Sequence, residues 1–102
     1  MELIDEIEEL IMMHQEGPYW DFKREWYDDS KDGDLLIDII CMANNLVDRD
    51  AYIIIGVNEE CDYAIQDVSQ DANRRNTQML TDFIRGKKFA GDFRPVVTVE
   101  QV

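Results

Sequence analysis

The run AYIIIGV, residues 51–57, limits most what this chain can become. It is short, continuous and rich in β-branched residues, and it closes in Gly56. A strand with apolar side chains at successive positions has two apolar faces, so this segment reads as a central strand buried on both. The chain has 102 residues, enough for one small domain, so the cover must come from its own amphipathic helices.

Residues 2–14 supply the first such helix, with Leu3, Ile7, Leu10 and Ile11 on one side, and Gly17-Pro18 ends it. Residues 19–26 then alternate. Trp20, Phe22, Arg24 and Trp26 point one way, and Tyr19, Asp21, Lys23 and Glu25 the other, as in a half-buried strand. Residues 34–47 return to helical spacing, with Leu35, Leu36, Ile39, Ile40, Ala43 and Leu46 inward and Asp32 or Asp34 as the cap. Beyond the turn NEECD, YAIQDV is a hairpin partner. Residues 71–85 predict a third helix with Met79, Leu80, Phe83 and Ile84 inward. A glycine-bounded loop leads to VVTVEQV, residues 96–102, a last strand. The order α-β-α-β-β-α-β predicts an α+β fold, a small mixed β-sheet packed against helices. Because the last strand meets no following partner, the sequence reads as a single domain from the N-terminal part of a longer protein. An unpaired strand edge recruits a partner, so a symmetric homodimer with residues 93–102 at or near its interface is expected.

Charge restricts the partners. The net charge is −13. Residues 1–67 carry 19 of the 23 acids and 4 of the 10 Lys/Arg residues, and residues 68–102 carry the remaining 4 acids and 6 bases. Phosphate backbones are held mainly by Lys and Arg. A polyanion would therefore meet only the local basic surface of Arg74, Arg75, Arg85, Lys87, Lys88 and Arg94. Cys41 and Cys61 sit in unrelated contexts and suggest neither a disulfide framework nor zinc spacing. Without a signal peptide or a bilayer-length apolar run, the expectation is a cytoplasmic protein with no membrane partner. His14 is the only histidine and has no second His or Cys at ligand spacing, so it reads as structural. Trp20 and Trp26 share a face with Phe22 and read as core rather than as base-stacking platforms.

Three short motifs fall in order. Glu16 precedes Asp21-Phe22-Lys23 on the first strand; Cys41-Met42-Ala43-Asn44-Asn45 closes the second helix; Ile53-Ile54-Ile55-Gly56-Val57-Asn58-Glu59 ends the central strand. Together these resemble the Schlafen AlbA-type domain over roughly residues 14–102, and residues 73–95 look like the version in bacterial members. The sequence departs from the pattern in lacking the Gly-Gly after the second helix, in having Asp21 for Glu, and in having Asn58 ahead of Glu59. The resemblance implies a nucleic-acid-binding module, for DNA or RNA, of a bacterial Schlafen-like regulatory or defence protein, with Lys23 and Arg24 joining the basic set. It also implies an alternative, a metal-dependent endoribonuclease. There Glu16, Asp21 and Glu59 would hold Mg²⁺ or Mn²⁺ through oxygen, and Lys23 would offset charge on the leaving phosphate. Alternation on an amphipathic strand explains Asp21, Lys23 and Glu25 without any chemistry. A protein–protein or oligomerisation module is the third reading, favoured by the acidity and the unfinished last strand.

Overall fold

The computed structural model describes residues 2–47, 49–87 and 94–102. In chain order these form α1 (Leu3–Met12), β1 (Trp20–Lys23), a 3-10 turn at Asp29–Lys31, α2 (Asp32–Ala43), β2 (Tyr52–Ile55), β3 (Val57–Asn58), a second 3-10 turn at Glu59–Cys61, β4 (Ala64–Ile65) and α3 (Thr77–Arg85). The fold is α+β, as the order of motifs predicts. The strands form two separate ladders. In one, β1 lies parallel to β2, with Trp20 opposite Tyr52 and Lys23 opposite Ile55. In the other, β3 lies antiparallel to β4, with Val57 opposite Ile65.

The apolar run 51–57 is therefore not one central strand. It breaks at Gly56, whose φ of +107° is open to glycine and strained for other residues. The Gly56 N–H donates to the Lys23 carbonyl at 2.7 Å, and its carbonyl accepts from Gln66 N–H at 2.7 Å. The first bond closes the parallel ladder and the second opens the antiparallel one. A Cβ at this position would lie 2.7 Å from the Gln66 carbonyl oxygen. Each residue of β2 is half-buried rather than covered on both faces.

Two cores flank the strands. Ile7, Leu10, Trp20, Phe22 and Val57 make the first, joining α1 to β1 and β3. Tyr27, Leu35, Ile39, Leu80 and Ile84 make the second, joining α2 to α3. Over the first core, Arg49 stacks 4.1 Å from the Tyr19 ring centroid and pairs with Glu6 at 2.7 Å, tying the segment after α2 to α1.

Several boundaries differ from the sequence expectation. The first strand stops at Lys23, so Arg24 is exposed instead of inward. The second helix stops at Ala43, because the Asn45 side chain takes over the local bonding: its amide donates to the Met42 and Arg49 carbonyls. Leu46, expected inward, is consequently 99% exposed. The third helix begins at Thr77, not residue 71. Asn76 caps it by accepting Met79 N–H at 2.8 Å, and the residues before it form turns around Asp71. Met79 is left half outside while Leu80 and Ile84 are buried. Residues 96–102 join neither ladder among the described residues. Their alternation survives: Pro95 is buried, Val97 and Val99 half-buried, and Val96, Thr98 and Glu100 exposed. No helix among the described residues is long and apolar enough to cross a membrane.

Urea denaturation should separate these roles. Phe22→Ala, emptying a side chain only 2% exposed, should lose about 3–5 kcal/mol. Gly56→Ala should lose about 1–3 kcal/mol through strain and the clash with Gln66. Leu46→Ala should stay within about 0.5 kcal/mol of the parent.

Candidate functional site

Trp20 and Phe22 anchor β1 in the first core, and the alternate residues Asp21 and Lys23 carry its polar groups. Asp21 is nonetheless 8% exposed, so its charge needs a partner. Lys23 provides it: Nζ lies 3.1 Å from Asp21 Oδ2 and 3.6 Å from Asp38 Oδ2 on α2. Asp38 also accepts the Tyr27 hydroxyl at 2.5 Å. One ammonium thus sits between two carboxylates, and the second carboxylate holds a buried phenol. Burial works against the Lys23 ammonium, but hydrogen bonds and charge from Asp21, then Asp38, more than offset it and raise its pKa. Burial, the hydrogen bond to Asp38 and the negative charge of Asp38 and its neighbours all push the Tyr27 phenol well above its ordinary value.

This cluster opens onto a groove of about 700 Å³ whose walls include Lys23, Trp26, Tyr27, Asp38, Asn58 and Glu59. Asn58 is buried at the start of the second 3-10 turn, where its side chain accepts Glu60 N–H at 3.1 Å. That cap leaves Glu59 and Glu60 exposed at the groove. Glu16 lies elsewhere, exposed between α1 and β1, and neither it nor Asp21 lines the groove. Two residues before Glu16, the His14 ring stacks on Tyr63 at 4.6 Å, and Nδ1 is 3.6 Å from Asp62.

Of the three carboxylates expected to share a metal, only Glu59 therefore faces the groove. Asp21 is turned to Lys23. Among the described residues no group of three His, Cys, Asp or Glu side chains comes together in a way that could hold a metal ion. As arranged among the described residues, Glu16, Asp21 and Glu59 do not fit Mg²⁺ or Mn²⁺.

The expected basic residues divide by exposure. Arg75 is 9% exposed, 2.5 Å from Asp32 and 3.6 Å from Asp29, with its guanidinium 5.4 Å above the Phe83 ring, so it acts within the fold. Arg24 leans on Glu25 at 3.7 Å. Arg74 is exposed and donates to the Ser69 carbonyl at 3.2 Å. Arg85 ends α3, exposed and 3.9 Å from Asp82. Lys87 lies 4.9 Å over the Phe83 ring, and Arg94 is exposed. Lys88 lies outside the described residues. Asp38 and Tyr27 are the site residues that sequence reasoning missed. The signal for Asp38 was present, since it interrupts the apolar stretch Leu35–Ile40 one turn after Asp34.

This is a small α+β domain with a lysine clamped between carboxylates at the end of a strand and exposed arginines before and at the end of α3. A family model, Schlafen, AlbA_2, matches residues 16–101, and the chain belongs to that family. No curated protein and no solved structure matches it.

Both raised pKa values have the same consequence for pH. Folding holds the Tyr27 proton and the Lys23 proton more tightly than the unfolded chain does. Their contribution to stability is complete below the ordinary tyrosine value of 10.0. It is lost as pH climbs above that, when the unfolded chain ionises first. Stability should thus stay level from neutrality to about pH 10 and then fall. Absorbance titration should show one tyrosine ionising only with unfolding, and Tyr27→Phe should abolish that late step.

Proposed function

We propose that this chain is a nucleic-acid-binding module of a bacterial Schlafen-like regulatory or defence protein, contacting its ligand through α3 and the residues flanking it. Membership of the Schlafen, AlbA_2 family supports nucleic acid as the ligand class. The observation that carries the placement is the fate of the cations. Lys23 is held by two carboxylates and Arg75 by two more. Arg74, Arg85 and Arg94 remain exposed, with Lys87 half-buried beside them in sequence. Arg74 stands three residues before α3 and Arg85 is its last residue, so the two bracket that helix. Phosphate contacts of this kind set position and affinity rather than base preference.

Fluorescence anisotropy with a labelled single-stranded RNA and a DNA duplex tests this across a salt series. Binding should be weak and steeply salt-dependent. Each contact contributes a log–log slope of about −0.7 on single strands and about −0.9 on duplex DNA. Arg74→Ala with Arg85→Ala should flatten the slope by roughly two such contacts, and Arg75→Ala should act through stability instead. No binding at about 20 mM salt, well under the range where such contacts screen out, would end the proposal.

A further inference from the structure

We infer that residues 94–102 form a self-complementary strand edge, which pairs antiparallel with the same segment of a second copy about a two-fold axis through Val97. The alternating burial of Pro95, Val97 and Val99 against Val96, Thr98 and Glu100 is that of an extended chain with one face on the protein. Val97 and Val99 pack on the second core. In such a chain the N–H and C=O of one residue point to one side, and those of the next residue to the other. Val99 N–H donates to Thr77 Oγ1 at 2.8 Å, and the same hydroxyl lies 3.5 Å from the Val99 carbonyl oxygen. Val99 therefore turns its backbone groups toward the start of α3, and the alternation of an extended chain assigns Val97 and Pro95 to the same side. Arg94, Val96, Thr98 and Glu100 turn theirs away, and among the described residues those groups have no hydrogen-bond partner.

A two-fold axis at Val97 matches each feature of that edge. Arg94 falls opposite Glu100 of the second copy, and Val96 opposite Thr98, at the hydrogen-bonded positions. The exposed side chains then form two cross-strand Arg–Glu pairs. Val97 faces its own counterpart and Pro95 faces Val99 at the non-hydrogen-bonded positions. Proline, which has no N–H, thus occupies a position where none is required. Charge favours the same place. In a chain of net charge −13, residues 68–102 hold 6 bases and 4 acids, so two copies repel least when they meet there. The pairing is short and the dimer correspondingly weak, with a dissociation constant on the order of 100 µM.

Sedimentation equilibrium on the 102-residue chain from about 10 µM to about 1 mM, a range that brackets this affinity, should show a monomer–dimer equilibrium. Val96→Pro, which removes an edge N–H, should raise the dissociation constant at least about tenfold and leave the melting temperature unchanged. Arg94→Glu should raise it about tenfold, and the exchange Arg94→Glu with Glu100→Arg should restore it to within about twofold. Amide exchange should become slower with concentration at Val96, Thr98 and Glu100 but not at Val97. A monomer at every concentration would leave the edge to a different chain and overturn the proposal. A dimer indifferent to Val96→Pro, or a charge exchange that fails to restore association, would overturn it equally.

Discussion

The passage of the backbone through Gly56 is the constraint on which the other contacts depend. The chain arrives as a strand parallel to β1 and must leave as a strand antiparallel to β4. A positive φ at Gly56 marks that change of partner, and two 2.7 Å hydrogen bonds fix the residue to Lys23 on one side and to Gln66 on the other. The bond to Lys23 sets where β1 ends, and hence where its ammonium emerges. The residues just after Gly56 bring Asn58 and Glu59 to the wall of the same groove.

The second organising fact is scarcity of positive charge. With 10 Lys/Arg residues against 23 acids, each cation that is buried or clamped is withdrawn from any outside ligand. Lys23 joins β1 to α2, Arg49 joins the segment after α2 to α1, and Arg75 joins the approach to α3 to the start of α2. Removing the partner of the buried Arg75 would leave a charge without compensation, which costs far more than an exposed pair contributes. Among the exposed cations, Arg74 and Arg85 bracket α3, whereas Arg24 and Lys31 lie in the strongly acidic part of the sequence. An acidic composition is compatible with a polyanionic ligand where the cations outnumber the acids locally, as they do over residues 68–102.

Much of the architecture was legible because it follows from periodicity. Ile7 and Leu10, Leu35 and Ile39, and Leu80 and Ile84 are the buried pairs that helical spacing picks out. Trp20 and Phe22 fall inward by strand alternation. Misplaced boundaries came from side chains competing for backbone groups: Asn45 after α2, Asn76 before α3. Such capping depends on one residue, and periodicity averages over many. The break at Gly56 was visible as a glycine but not as a switch from a parallel to an antiparallel partner, because φ depends on what the flanking segments pair with. At the site, Asp21 and Lys23 were found from their motif, whereas their real partner Asp38 lies on a helix 15 or more positions away, and no local pattern links the two. The separation of Glu16 from the groove is likewise a matter of tertiary placement.

The two ladders also differ in how far apart along the chain their strands lie. Trp20 and Tyr52 are separated by four times as many positions as Val57 and Ile65. Two doublings of loop length add about 1.2 kcal/mol of closure entropy. Helix α2 lies inside the longer loop, and its formation shortens the distance to be searched. The small hairpin can close on the microsecond scale of local structure, whereas the parallel pair must wait for α2 and for the ends it brings together. By closure entropy the parallel ladder forms later than the hairpin beside it, so substitutions across β1 and β2 bear on the slower of these two closures.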